Sequence, residues 1–121
     1  MIDHVSVRAS NFEKSKKFYT SLLGVLSYEI HVKGDGKIGF RAPDGSSVWV
    51  RKDDFVTKGM HVAFRASSKA VVDDFHTAGL AAGGTDNGKP GVRSHRGEQY
   101  IAFILDPDGN NIEIVYDPSK K

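Results

Sequence analysis

The sequence predicts an α+β fold made of two copies of one βαβββ module, whose strands form a curled, mixed eight-stranded sheet with the helices on its outer face. Two matched segments support this prediction. Residues 3–19 align without a gap on residues 60–76, at an offset of 57 residues (61 − 4). Residues 42–50 align on residues 106–114, at an offset of 64 residues (107 − 43). Two matches in the same order indicate an internal duplication.

Each element of the first module has a local signal. Apolar and polar residues alternate in residues 4–10, which predicts a strand. Ser10–Glu13 forms a capping box, and apolar residues continue at helical spacing to Gly24. Residues 26–42 contain two strand patterns separated by a glycine-rich turn, and Pro43 starts the turn into the last strand.

The second module repeats this order. Residues 61–67 alternate like the first strand, and Ser67 or Ser68 caps a helix that ends at Gly83-Gly84. A strand is expected near residues 84–87, and residues 98–117 predict a hairpin around a proline-glycine turn. We therefore expect one domain over residues 1–121, with module one at 1–52, a linker at 53–59 and module two at 60–117.

Composition excludes several classes of protein. Lys and Arg number 17 against 15 Asp and Glu, and this net charge of +2 is too small to predict a nucleic-acid partner. The chain has no cysteine, and no apolar run reaches the roughly 18 residues that a membrane span requires. No signal pattern opens the sequence. The expectation is a soluble cytoplasmic protein with no membrane partner.

Strand alternation places His4, His61 and Glu113 on sheet faces opposite the apolar residues that a helix would cover. If the two modules join their sheets, these side chains share one concave face. Two imidazoles and a carboxylate are a ligand set for Zn, Fe(II), Mn or Ni that leaves positions open for water or substrate. The alternative is a pair of hydrogen-bonded structural histidines and a glutamate that faces solvent.

Other residues on this face are candidates for a substrate pocket. Trp49 occupies the module-one position that matches Glu113, where its indole could stack on a flat substrate or fill the sheet cavity. Arg8 and Arg65 have the same strand parity as the histidines and could clamp a carboxylate, or pair with acids at the strand ends.

The second module contains seven extra residues (64 − 57), within the glycine-bearing segment 87–100. This segment could be a substrate lid or a solvated loop. Its cations would favour an anionic substrate, and His95 is the candidate base. The cations of the segment are Lys89, Arg93 and Arg96. Tyr100 is the second candidate catalytic residue.

Over nearly its whole length the chain resembles the vicinal oxygen chelate superfamily, which includes glyoxalase I, extradiol dioxygenases, fosfomycin-resistance thiol transferases and bleomycin-resistance proteins. The resemblance rests on "IDHVSV…FYTSLLG", "MHVAFRAS" and "DPDGNNIEIV". It implies paired modules around a divalent metal that binds adjacent oxygens of a small substrate. The implied ligands are His4, His61 and Glu113, and a homodimer is the family expectation.

The resemblance implies a metal-dependent lyase, isomerase or dioxygenase. Trp49 stands where glyoxalase I carries a second carboxylate, which argues against hemithioacetal isomerisation. The alternatives are a drug-binding resistance protein without catalysis, a fosfomycin-type thiol transferase, and a structural dimer with an inert cavity. The modules pair either within one chain or by exchange between two chains, and in the exchanged form His4 would complete a site on the partner chain.

Overall fold

The computed structural model describes residues 1–120, and its elements follow the predicted order. Module one contains β1 (His4–Ala9), α1 (Phe12–Val25), β2 (Glu29–Gly34), β3 (Lys37–Arg41) and β4 (Ser47–Lys52). Module two contains β5 (His61–Arg65), α2 (Lys69–Ala81), β6 (Thr85–Val92), a 3₁₀ helix (Ser94–Arg96), β7 (Tyr100–Leu105) and β8 (Asn111–Tyr116). The two βαβββ modules and the α+β class are confirmed. No helix in the described residues is long and apolar enough to cross a membrane.

The strands form two mixed four-stranded sheets. Their orders are β1-β4-β3-β2 and β5-β8-β7-β6. In each sheet the first and last strands of the module pair in parallel, and the other neighbours are antiparallel. Within residues 1–120 the sheets are not joined, so β1 and β5 are both edge strands.

Polar side chains cap the N-termini of both helices. The Asn11 side chain accepts a hydrogen bond from the backbone N of Lys14 at 3.1 Å, and Ser68 accepts one from Val71 at 3.2 Å. These bonds satisfy amide groups that a helix N-terminus leaves without partners. The cap of α1 is therefore one residue later than the predicted capping box, because the Ser10 hydroxyl and backbone N donate to the Asp108 carboxylate instead.

The two helices pack against each other, and one hydrophobic core contains residues of both modules. The contact is close because Gly79 of α2 lacks a side chain. A Cβ atom there would lie 2.4 Å from Ile104 Cδ1 and 3.1 Å from Leu22 Cδ1. Since the helices join the modules, the apolar face of each sheet is turned toward this core. The sheet faces that carry His4 and His61 are turned away from it.

A buried polar turn also links the modules. Asp106 is 4% exposed and accepts hydrogen bonds from the Tyr19 hydroxyl at 2.6 Å and from two backbone amides of its own turn. Asn110, also buried, donates to the Thr57 carbonyl at 2.8 Å and accepts from the Met60 amide at 3.0 Å. The turn therefore attaches module two to α1 and to the linker.

Replacing Tyr19 by phenylalanine should lower the free energy of unfolding by about 1–3 kcal/mol, because a hydrogen bond to a buried carboxylate is lost. Urea unfolding measures the change. The matched control is Tyr100→Phe, whose more exposed hydroxyl donates to Asp73 at 2.7 Å and should cost less than about 1 kcal/mol. Equal losses in the two variants would contradict the role of the buried turn.

The same tyrosine should make stability depend on alkaline pH. Burial, followed by the nearby Asp106 carboxylate, raises the pKa of Tyr19 well above its ordinary value of 10.0. Folding then favours the neutral phenol, so its contribution is complete below pH 10 and is lost as pH rises from there toward the folded-state pKa. Thermal unfolding should show a steeper fall above pH 10 in the wild type than in Tyr19→Phe. Parallel pH profiles would contradict this assignment.

Candidate functional site

His61 and Glu113 lie side by side on the face of the module-two sheet that is turned away from the helices. They come from the parallel neighbours β5 and β8, in which Ala63 pairs with Glu113. The His61 Nε2 atom lies 2.8 Å from Glu113 Oε1. Glu113 is only 2% exposed, although this face is turned away from the core. The structure thus brings together two of the three predicted metal ligands.

Arg96 contacts the other oxygen of the same carboxylate. Its Nη2 atom donates to Glu113 Oε2 at 3.0 Å, so both carboxylate oxygens have cationic or imidazole partners. The β6–β7 hairpin, which contains the seven extra residues, carries this arginine. Gly34 pairs with Lys37 in module one, whereas Gly91 pairs with Ile101 in module two. The insertion predicted within residues 87–100 therefore falls between Gly91 and Ile101.

Phe103 forms the wall beside His61. It pairs directly with Glu113, so the two side chains share one face, and its ring centroid lies 6.3 Å from that of His61. The Arg93 guanidinium lies over the Phe103 ring at 5.8 Å and donates to the Lys89 and Gly91 carbonyls at 2.8 and 3.0 Å. Arg93 thus braces the hairpin next to the site. Sequence analysis missed Phe103, which the 64-residue offset aligns with Gly39.

His4 lies on the equivalent face of the other sheet. It lines a cavity of about 120 Å³ together with Ser6, Lys37, Trp49 and Arg51. Its Nδ1 atom lies 2.8 Å from Asp3 Oδ1, and its side chain is 57% exposed. This cavity contains no residue of module two. Within residues 1–120 no three His, Asp or Glu side chains are grouped to hold a metal ion.

Trp49 makes an aromatic platform in the cavity of His4. Its indole lies across Gly39 of the neighbouring strand, and a Cβ atom on that glycine would lie 2.9 Å from the ring. The indole Nε1 donates to Ser47 Oγ at 3.1 Å. In module two, Phe103 stands at the position of Gly39 and Glu113 at the position of Trp49. The larger side chain of the pair therefore comes from β4 in module one and from β7 in module two.

The structure places the remaining sequence candidates on the hairpin, at the end of β5, at the linker and on the helix side of β7. His95 is exposed in the 3₁₀ helix next to Arg96, and Arg65 is exposed at the end of β5 on the face of His61. The Nε atom of Arg8 lies 3.8 Å from Asp53 Oδ2 at the linker. Tyr100 is three residues from Phe103 on β7 and therefore faces the helices, where its hydroxyl donates to Asp73 of α2. The structure does not bring Tyr100 to His61 and Glu113.

Substituting Gly39 by alanine should displace the indole of Trp49, because the new methyl group would overlap the ring. Overpacking of this kind costs roughly 1–3 kcal/mol. Trp49 is the only tryptophan, so its fluorescence emission reports the displacement directly. Gly24→Ala is the control, since nothing lies within 4 Å of its added Cβ. Unchanged emission in Gly39→Ala would contradict the stacked geometry.

Comparisons with known proteins agree with this architecture. The crystal structure of a glyoxalase/bleomycin resistance protein from Albidiferax ferrireducens T118 is 35% identical, with a TM-score of 0.85 over 97% of this chain and 99% of that chain. A lactoylglutathione lyase from Agrobacterium tumefaciens is 19% identical, with a TM-score of 0.73 over 99% and 96% of the two chains. The oxidase ChaP-H2 is 24% identical, with a TM-score of 0.70 over 98% and 94%. These last two likenesses show the fold alone.

No curated protein sequence is significantly similar to the chain. The family model of the Glyoxalase/Bleomycin resistance protein/Dioxygenase superfamily, however, matches residues 1–114. Because that match spans nearly all of the sequence, the chain belongs to the glyoxalase/bleomycin resistance protein/dioxygenase superfamily.

Proposed function

We propose that the protein is a metal-dependent enzyme that acts on a small substrate with vicinal oxygens, as a lyase, an isomerase or a dioxygenase. The observation that supports this most directly is the contact of 2.8 Å between His61 Nε2 and Glu113 Oε1 on the helix-free face of the sheet. An imidazole nitrogen and a carboxylate oxygen are donors that Zn, Fe(II), Mn and Ni accept. The superfamily match supports the same reaction classes.

The residues around His61 and Glu113 shield the pair and restrict its movement, which suits metal binding. A divalent metal held there would supply Lewis acidity toward the vicinal oxygens of the substrate. Glu113 is shielded from water at 2% exposure, and the Phe103 ring restricts the imidazole of His61 on one side. The exposed imidazole of His95, on the hairpin beside Arg96, is the candidate group for moving a proton.

A homodimer would supply the third ligand. The edge strands β1 and β5 each present one side without a neighbouring strand in the described chain. The linker covers only the end of β1, where Thr57 bonds the backbone of Arg8. Open edges of this kind favour pairing with another chain. We propose that β1 of one protomer lies beside β5 of another, so that His4 of the partner subunit joins His61 and Glu113.

Metal uptake tests the enzyme proposal. Elemental analysis and calorimetry should find one divalent metal per chain in the wild type. His4→Ala, His61→Ala and Glu113→Ala should each weaken the affinity by at least about 100-fold, since even residues behind a ligand contribute 10- to 100-fold. His95→Ala is the matched control and should bind metal as tightly as the wild type. The metal proposal fails if the wild type takes up no stoichiometric metal, or if the ligand variants bind it equally well.

A mixing experiment tests whether two chains share each site. His4→Ala and His61→Ala protomers are unfolded together in equal amounts and refolded. If each site takes His4 from one chain and His61 from the other, a mixed dimer has one intact site and one site that lacks both histidines. Half of the dimers are mixed, so metal binding should recover to about a quarter of the wild-type level. No recovery would contradict a site shared between two chains.

A second candidate function is small-molecule binding without catalysis, as in a drug-resistance protein. It is favoured by the saturation of Glu113, whose two oxygens already contact His61 and Arg96. Trp49 and Phe103 would supply aromatic walls. Metal uptake separates the two functions. A subsequent panel of hemithioacetals, catechols, and fosfomycin with a thiol would then sort the reaction class, including the thiol-transferase alternative.

A further inference from the structure

A cationic cavity adjoins Glu113 on the same sheet face. Its volume is about 240 Å³, and its lining includes Arg65, Arg96, Gln99, Asp117 and Lys120. Arg65 follows His61 by four residues on β5, and Asp117 follows Glu113 by four residues, directly after β8. Because alternate strand residues share a face, the cavity continues the face of the candidate metal site. We call it the cationic groove.

Arg96 is held at the border between the groove and the metal site. Its Nε atom donates to Gln99 Oε1 at 2.8 Å, and Gln99 Nε2 donates to Asp117 Oδ2 at 2.9 Å. Hydrogen bonds from Ser119 and from Gln99 lower the pKa of Asp117 to about 2, so this anchor is ionised at neutral pH. The Arg96 guanidinium therefore has a support that does not depend on Glu113.

The groove has more positive than negative charge. Arg65, Arg96 and Lys120 face one acid, Asp117, and that acid is occupied by hydrogen bonds from Gln99 and Ser119. Glu113 offsets Arg96 in the structure described above. A divalent metal held by His61 and Glu113 would add positive charge beside Arg96. The loaded site would then attract an anion strongly.

The spacing between the candidate metal site and the cationic groove limits the size of the ligand. Two residues along a strand span about 7 Å, which is the step from Glu113 to Val115 in the groove wall. A molecule of a few carbon atoms can therefore place its oxygens at Glu113 and His61 while its other end reaches the groove. Guanidinium groups bind planar or tetrahedral oxyanions through charge-assisted hydrogen bonds.

We infer that the substrate carries an oxyanion, a carboxylate or a phosphate, which Arg65, Arg96 and Lys120 bind in the cationic groove while its vicinal oxygens lie at His61 and Glu113. This inference rests on the proposed function for the position of the vicinal oxygens. The anion site itself follows from the groove and can be tested without a metal.

The test is calorimetric titration of the metal-free protein with inorganic phosphate and, separately, with succinate at low ionic strength. Arg65→Gln, Lys120→Gln and Arg96→Gln should each weaken binding of the preferred anion by about three- to tenfold. Lys14→Gln is the control, because it removes the same charge from an exposed position on α1 and should change the dissociation constant less than about twofold. Tighter binding of phosphate would assign a phosphate-bearing substrate, and tighter binding of succinate a carboxylate.

Arg96→Gln removes a partner of Glu113 and could fail to fold. Arg65→Gln and Lys120→Gln change exposed residues and still test the groove in that case. Anion affinities that are equal in Arg65→Gln, Lys120→Gln and Lys14→Gln would overturn the groove. Metal uptake, measured on the same preparations, should be unchanged in Arg65→Gln and Lys120→Gln. Absent metal uptake with groove-dependent anion binding would refute the proposed function alone, and the reverse result would refute the groove alone.

Discussion

The buried carboxylate of Asp106 is the constraint on which the arrangement of the two modules depends. A buried charge is tolerated only when hydrogen bonds satisfy it, and here α1 and the turn itself provide them. The matching turn in module one has the same backbone bond, from Gly45 to Ala42, but its side chains are Ala42 and Ser46. The turn therefore forms without the buried acid. In module two, Asp106 and Asn110 add the attachment to Tyr19 and the linker, which reinforces the packing between the two modules.

The two modules share one backbone plan but present different side chains on their helix-free sheet faces. The differences occur in pairs of neighbouring positions, so that a large residue always lies beside a smaller one. Trp49 covers Gly39 in one sheet, whereas in the other Phe103 is the large residue and Glu113 the smaller neighbour. The helices differ in the same way. Tyr19 reaches across to the second module, while His76 at the matching position bonds Asp86 of its own module at 2.8 Å. One backbone plan thus provides an aromatic platform on one sheet and a carboxylate on the other.

Sequence reasoning predicted what depends on local pattern. Alternation identified the strands and placed His61 and Glu113 on one face. It underestimated β6, which extends from Thr85 to Val92, because glycines and register shifts obscure alternation in "TDNGKPGV". Strand parity assigns a residue to one face of its own sheet, but it does not tell how the two sheets are placed relative to each other. The separation of the two sheets, and of His4 from His61 and Glu113, was therefore not predictable. Arg96 was predicted only as one of several loop cations, since Gln99 and Asp117 position it through contacts outside any regular pattern. Counting along β7 from Phe103 would have assigned Tyr100 to the helix side.

The carboxylate and the insertion occur in the same module, and electrostatics explains why they belong together. An ionised carboxylate that is only 2% exposed is stabilised by a counter-charge close to it. In module one a two-residue turn between β2 and β3 suffices, since Trp49 brings no charge to the sheet face. In module two the longer hairpin supplies Arg96, which can neutralise Glu113 before a metal binds. If a metal bound Glu113 as proposed, it would add positive charge beside the same guanidinium, which lines the groove. A single loop arginine thus contacts the carboxylate of the candidate metal site and also lines the groove that we propose to bind the anion.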